Sequence, residues 1–507
     1  MKRVNVAAAT VTLLAWASSS FAANQAIPLI RENEVAPGSA GEIATSLDSV
    51  TTNGVGGYAI QVNLSASGDA IWGSVSGGAP GVMRSEMQIG ALLQTTFEFT
   101  IGLADNGSLC YAPTTNLLDP NGRVAVSGLD ALYLNDTLVL NEGDNVTGIF
   151  DPNWCSTFNS RPNITNSGIP YWIGGAASVC GAATGNRALL AGNPPVSLFQ
   201  GGDNIGGVGL PANTSTIDFD TKMSANGTHY ISLVFAAGAP VANDNVMIID
   251  GSAISANGGL LREGDAVPLA SGGLAGELWS AFDSMNVTES GEYFVTGDTN
   301  AAVAVDEFVV KNGAIILREG DSIGGNIISG SIETGAMNES GDWAVTWDFG
   351  TPETLILNGR ELLTEGALMD WNGDGVLDAN DRTAPGDVRP ATLVDFSGLA
   401  PAMAIGERDA DGLVTVYFTA DVDFQNTTST TDDREALWAI RTHPCPGDLT
   451  GDGAIDLSDL AGMLAAFGTS SGGAGYTLIA DLDMSGTIDL ADLAGLLSVF
   501  GTTCLGF

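Results

Sequence analysis

Hydrophobic and polar residues alternate in short runs along most of this chain, and the runs pair around tight polar turns. The clearest pair is Glu307-Phe308-Val309-Val310-Lys311-Asn312-Gly313-Ala314-Ile315-Ile316-Leu317, two apolar strands on either side of Asn312-Gly313. That dipeptide supplies the positive φ a two-residue hairpin turn needs. Two phrases recur around such strands. One is Arg31-Glu32, Asn141-Glu142-Gly143-Asp144, Gln200-Gly201-Gly202-Asp203, Arg262-Glu263-Gly264-Asp265, Arg318-Glu319-Gly320-Asp321 and Thr364-Glu365-Gly366. The other is a polar turn containing glycine that leads into an aromatic strand: Gly57 with Tyr58, Gly107 with Tyr111, Gly168 with Tyr171, Gly227 with Tyr230, Gly291 with Tyr293, Gly341 with Trp343 and Gly412 with Tyr417. These glycines lie 50, 61, 59, 64, 50 and 71 residues apart, so the chain repeats a unit of about four strands seven times.

A four-stranded antiparallel sheet cannot bury both of its faces alone, and radial stacking of seven such sheets satisfies all of them. The expected fold is mainly β: a seven-bladed β-propeller over residues 23–443, followed by a small α-helical module at 444–507. The body opens with a strand lacking an earlier partner, Ile27-Pro28-Leu29-Ile30, and ends with one lacking a later partner, Glu435-Ala436-Leu437-Trp438-Ala439-Ile440. Pairing these two completes the last blade and removes the free sheet edges. The repeats, with Met337-Asn338-Glu339-Ser340-Gly341-Asp342-Trp343 as the clearest copy, resemble the tandem Asn-x-x-Gly-x-x-aromatic units of secreted, planctomycete-like bacterial proteins over residues 26–441. That resemblance implies no known activity. The glycine and the aromatic are expected to shape a turn and fill a core.

Chemistry concentrates near the C-terminus, where residues 448–459 read DLTGDGAIDLSD and residues 481–492 read DLDMSGTIDLAD, 33 positions later. Calcium takes six to eight hard oxygens, and a twelve-residue loop with ligands at positions 1, 3, 5, 7, 9 and 12 wraps one ion around a central glycine bend. The first loop offers Asp448, Thr450, Asp452, the Ala454 carbonyl, Asp456 and Asp459, with Gly453 at the bend; the second offers Asp481, Asp483, Ser485, the Thr487 carbonyl, Asp489 and Asp492, with Gly486. Apolar residues at helical spacing come after each loop, at 460–468 and 493–501, and Gly468 and Gly501 are natural helix stops.

Duplicated loop-helix units of this kind, with Asp at position 12 and no entering helix, resemble a dockerin over residues 445–504. The resemblance implies calcium as cofactor and a cohesin-like domain as partner. It also implies a partner-contacting role for loop positions 10 and 11, here Leu457-Ser458 and Leu490-Ala491. The two leucines suit an apolar docking surface and equally suit a core. Thr450 and Ser485 stand where the family usually has Asn or Asp, which lowers the charge of both loops. A third loop in the same frame, DWNGDGVLDAND at 370–381, lies inside the seventh repeat with Asp370, Asn372, Asp374, the Val376 carbonyl, Asp378 and Asp381; the alternative is a solvated acidic turn. Pro385 and Pro390 argue against a helix after it.

Lys2 and Arg3, an apolar run from Val4 to Trp16 and the small-residue stop Ser20-Phe21-Ala22 read as a signal peptide over residues 1–22. The run is shorter than the ~20 residues of a membrane span, so no transmembrane anchor is expected and the protein is expected to be secreted, extracellular or at the cell surface. Cleavage would leave all 59 acidic residues and take two of the 17 basic ones. Nucleic acid is excluded as a partner on that charge. Of five cysteines, Cys445 and Cys504 bracket the tail as an expected disulfide, Cys155 and Cys180 form an expected second pair, and Cys110 is left over.

No catalytic residue stands out. His229 and His443 sit in no metal-binding motif, and Gly320-Asp321-Ser322-Ile323-Gly324 matches a nucleophile elbow only formally, because it continues a repeat phrase. Two function classes stay open. One is a non-catalytic propeller that binds protein or glycan ligands and is attached through its tail. The other is a polysaccharide-degrading glycoside hydrolase, which needs only two well-placed carboxylates.

Overall fold

The computed structural model describes residues 25–504 except for 87–93, 116–128, 147, 150–152, 156–161, 178–185, 213–220, 257–258, 324, 349–351, 383–388, 398–400 and 426–432. The expected signal peptide lies outside these residues.

Seven antiparallel sheets succeed one another in the chain and form a seven-bladed β-propeller. The fifth blade, Met285–Val287, Tyr293–Asp298, Glu307–Lys311 and Ala314–Arg318, shows how the sequence builds each one. Its last two strands join through Asn312 and Gly313 at φ 50° and 81°, the expected tight turn. The sixth blade repeats it with Ile332–Met337, Trp343–Asp348, Glu353–Leu357 and Arg360–Thr364. In the seventh, Thr392–Phe396 and Met403–Ile405 share the inner edge of Val414–Asp423, Arg434–Thr442 comes next, and the N-terminal strand Ile27–Arg31 adds the outer edge. Ile27 pairs with Ala439 and Arg31 with Ala436, so the two ends of the body close the ring as expected.

Strand alternation sends successive side chains to opposite faces, and each face meets the next blade. Phe308 and Val310 pack toward the fourth blade with Ile231 and Met247, whereas Val309 packs toward the sixth with Trp343, Val345 and Trp347. The same holds between each consecutive pair of blades among the described residues, including the seventh and first, where Leu437 and Ala439 meet Leu47, Ile60 and Trp72. The buried surface therefore forms a ring of layers, and no blade has a core of its own.

The glycine turns join the first and second strands of each blade on one end of the ring. Their opening side chain accepts a backbone N–H four residues on: Asn53 from Gly57 at 2.6 Å, Thr288 from Glu292 at 3.2 Å, Asn338 from Asp342 at 2.9 Å. An acid in each of several turns binds the amide of the preceding blade's turn, with Asp105 on Gly54, Glu289 on Asn226, Glu339 on Glu289 and Glu407 on Glu339. The repeat motif thus staples blade to blade. In the first blade the left-handed glycine is Gly56, at φ 79°, rather than Gly57, because the turn starts at Asn53 and places its fourth residue there.

The C-terminal module carries two helices, α1 (Leu457–Ala466) and α2 (Leu490–Ser498), around a small core of Ile455, Met463, Ala480, Ile488 and Leu496. Cys445 and Cys504 are joined, with Cα atoms 6.1 Å apart. The module sits against the turn end of the sixth and seventh blades: Asn358 Nδ2 donates to the Pro444 carbonyl and Arg360 Nη2 to the His443 carbonyl, each at 3.0 Å. Cys155 is also disulfide-bonded, while Cys180 lies outside the described residues; Cys110 is free and buried.

Candidate functional site: three acidic loops

The three loops share their main hydrogen bonds, and they differ at position 1, where Oδ1 of Asp448 and of Asp370 also accepts the position 4 and 5 amides and that of Asp481 does not. Position 1 turns inward, and one of its carboxylate oxygens accepts the N–H of the bend glycine: Asp448 from Gly453 and Asp481 from Gly486 at 2.9 Å, Asp370 from Gly375 at 2.8 Å. Those glycines have φ of 82°, 86° and 84°, a conformation that costs other residues dearly. Position 12 reaches back to the position 9 amide at 2.8 Å in each loop, as Asp459 to Asp456, Asp492 to Asp489 and Asp381 to Asp378. Position 9 then caps the segment after the loop. Asp456 accepts the Ser458 N–H at 2.7 Å and Asp489 the Ala491 N–H at 2.8 Å, each completing a capping box that starts α1 or α2. Asp378 accepts the Asn380 N–H at 2.6 Å, yet no helix starts there among the described residues.

The carboxylates at positions 1 and 12 are almost wholly enclosed: Asp370, Asp459 and Asp481 are 0% exposed and Asp381 and Asp492 1%. Burial alone raises a carboxyl's pKa. At Asp459 burial is outweighed by the Asp456, Thr450 and Leu449 amides, which hold it below its ordinary value, whereas burial leaves Asp481 and Asp381 raised. Asp481 Oδ1 is buried with no hydrogen-bond partner, while Asp481, Asp483 and Asp492 bring one oxygen each within 4.8 Å of one another. An orphaned buried carboxylate oxygen beside two further carboxylates is the donor set a hard dication takes. Positions 3 and 5 are exposed in all three loops, as Thr450 and Asp452, Asp483 and Ser485, and Asn372 and Asp374. Cys445 and Cys504 lie near Asp448 but are tied to each other, which removes their sulfurs as ligands.

Leu457 and Leu490 are 72% and 73% exposed, which excludes the core role, and Ser458 and Ala491 are exposed beside them. Leu464 and Phe467 on the α1 side, and Leu497 and Phe500 on the α2 side, are exposed at equivalent places. The module thus presents two matching apolar stripes.

Sequence reasoning missed a second set of acids on the opposite end of the ring. A cavity of about 360 Å³ between the sixth and seventh blades is lined by Glu333, Asp348, Glu353, Glu365 and Asp395. Glu353 Oε2 crosses the seam to accept the Phe396 N–H at 2.8 Å; burial, then the neighbouring carboxylates, push its pKa up to about 8. The signal was a glutamate opening an apolar strand, as in Glu307-Phe308-Val309, Glu353-Thr354-Leu355 and Glu435-Ala436-Leu437. A pocket among the inner strands at the turn end, lined by Asn53, Thr165, Met223, Asn286 and Asn338, holds about 170 Å³, less than an ordinary ligand pocket.

No family model and no curated protein matches the sequence. Solved structures give distant likenesses. Prolyl oligopeptidase B from Galerina marginata shares 11% identity at a TM-score of 0.38 over 79% of this chain, which spans only 52% of that protein. The β-propeller domain of the Trilobed protease from Pyrococcus furiosus shares 7% identity at 0.36, covering 75% of this chain and 92% of that one. An α-L-arabinanase from Penicillium chrysogenum shares 11% at 0.29, covering 67% and 91%.

Proposed function

We propose that this is an exported β-propeller protein attached or assembled through a calcium-dependent, dockerin-like C-terminal module that docks on a cohesin-like domain. The observation that carries the reading is the twin loop. Two copies bury position 1 and position 12 carboxylates and cap the next helix with position 9, and the second leaves Asp481 Oδ1 without a partner. Asp448, Asp452, Asp456 and Asp459, with Thr450 and the Ala454 carbonyl, would hold one ion; Asp481, Asp483, Asp489 and Asp492, with Ser485 and the Thr487 carbonyl, would hold the second. Bound calcium offsets the mutual repulsion of these carboxylates and so fixes both helix starts. The exposed Leu457 and Leu490, with Ser458 and Ala491, then present an apolar face to the partner. The disulfide suits an oxidising compartment, and among the described residues no helix is long and apolar enough to cross a membrane. The propeller would carry the ligand-binding surface, for protein or glycan.

Calorimetric titration of the full chain with calcium tests the metal, and capture by a panel of cohesin domains tests the partner. Leu457→Arg with Leu490→Arg should abolish capture while leaving calcium uptake intact. If the full chain takes up no calcium at millimolar concentration, the attachment reading fails.

One observation favours a polysaccharide-degrading enzyme instead: Glu353, with its raised pKa beside Asp395 and Glu333, is placed as a general acid would be. The same arrangement recurs in both neighbouring seams, however, and a catalytic pair should break the repeat. Hydrolysis in a glycan screen that disappears with Glu353→Gln would restore the enzyme reading.

A further inference from the structure

The carboxylates that line the seam between the sixth and seventh blades are one of three equivalent sets. A carboxylate at or near the end of one strand faces a glutamate at or next to the start of the following one, as Asp298 with Glu307, Asp348 with Glu353, and Asp421 with Glu435. The residue just past the fourth strand, Glu319, Glu365 or Glu32, donates its N–H to the carbonyl of that same glutamate. In every set the glutamate crosses to the next blade and accepts a backbone N–H, from Ile332, Phe396 or Leu47. One oxygen thus satisfies the neighbouring blade. What the other oxygen meets is the question.

Between the fifth and sixth blades it meets no donor. Glu307 and Glu319 are 8% and 4% exposed, and Oε2 of each is buried without a hydrogen-bond partner. Glu319 Oε1 is already taken by the Gly330 N–H at 2.9 Å. The charges acting most strongly on Glu307 are the carboxylates of Asp298 and Asp283; those on Glu353 are Asp395 and Glu333, and those on Glu435 are Asp421, Asp48 and Glu32. The basic side chains of this blade are engaged elsewhere: Arg318 on Glu277, and Lys311 on the Gly341 carbonyl at 3.0 Å. A buried carboxylate oxygen with no donor is strongly disfavoured unless a proton or a cation meets it.

We propose that the seam between the fifth and sixth blades is a divalent-cation site, with Glu307 and Asp298 as ligands and Asp283 beside them, and that the next two seams repeat it. An all-oxygen, all-carboxylate donor set selects a hard dication, calcium or magnesium. At the repeat of the site between the sixth and seventh blades, the cavity of about 360 Å³ leaves room for an ion that keeps part of its water. Each ion would bind both the sheet that supplies the acids and, through the shared glutamate, the next blade. This site is independent of the three loops.

Equilibrium dialysis of the full chain against radioactive calcium, with magnesium as competitor, tests it in a background carrying Asp370→Asn, Asp448→Asn and Asp481→Asn. That background should still bind calcium, and calcium should still raise its melting temperature. Adding Glu307→Gln, which keeps an acceptor for the Ile332 amide, should remove about one ion per chain and shrink the calcium-dependent shift. Asp298→Asn, which leaves the cross-blade bond untouched, should do the same and serves if Glu307→Gln misfolds. A background that binds no calcium, or variants that bind as much as their parent, would mean that Glu307 is simply a neutral, protonated acid and would overturn the proposal. Failure of the loops reads differently: the background would then bind as much calcium as the native chain.

Discussion

Glu277 is a buried acid with partners on both of its oxygens. It is 3% exposed, binds Arg318 through both oxygens and accepts the Thr299 hydroxyl at 2.6 Å. Burial alone would raise its pKa, but Arg318, Thr299 and the Leu274 amide prevail and hold it below the ordinary value. A depressed pKa contributes stability that is present above the unfolded value and lost as pH falls through the folded one. Glu277→Gln leaves a buried guanidinium without its charge partner and should cost about 3–5 kcal/mol near neutral pH. Thermal melts should show that gap closing as the solution is acidified, since the native chain then loses the same charge. A gap that is constant across acid pH would show that the charge contributes nothing. At the glycine turns, Asn338 Oδ1 caps the Asp342 N–H while its Nδ2 reaches the Gly406 carbonyl of the next blade at 2.8 Å. Asn338→Ala orphans both and should cost about 2–4 kcal/mol in denaturant titrations, whereas a purely local turn would lose only about 1.

At the scale of elements, α1 and α2 are ten and nine residues long, too short to persist alone in water. They depend on their caps, and their caps are the acids of the loops. Chelating divalent cations should therefore unravel both helices while the β signal persists, and far-ultraviolet circular dichroism separates the two. Unchanged helical signal in chelator would show that the amide bonds to Asp459 and Asp492 suffice. The Cys445–Cys504 bond closes a separation of 59 residues, for which loop entropy gives about 4 kcal/mol. Reduction, or Cys504→Ser, should accordingly lower the melting point of the tail and, on the proposed reading, its affinity for calcium, because the same order is required for both.

At the scale of the whole molecule, stability resides between blades, and closure is the weak point of a ring. Removing residues up to Arg31 deprives Arg434–Thr442 of its outer neighbour and uncovers Leu437 and Ala439. The truncated chain should melt well below the parent by scanning calorimetry and lose its single cooperative transition. Equal melting would show that the ring does not depend on its latch. Trp371, in the third loop, also bears on this latch: its Nε1 donates to Glu34 at 3.2 Å and Arg31 lies over its ring.

Much of this architecture was legible because repetition and local chemistry agree. Asn312-Gly313 demanded a tight turn, seven glycine turns counted the blades, and the frame of acids at 448–459 and 481–492 marked loops ahead of helices. Each of these signals lies within about twelve residues, where backbone geometry and spacing suffice. The tertiary structure alone decided what depends on distant segments. Leu457 and Leu490 could have faced core or solvent until the helices were placed against Ile455 and Ile488. Gly56 displaced Gly57 because the turn begins where the inner strand ends, at Asn53. The seam acids were hidden most deeply, for Glu32 meets Glu435 only once the ring has closed. A carboxylate's surroundings are set by the neighbouring blade, some 50 residues or the whole chain away, and no local pattern carries that information.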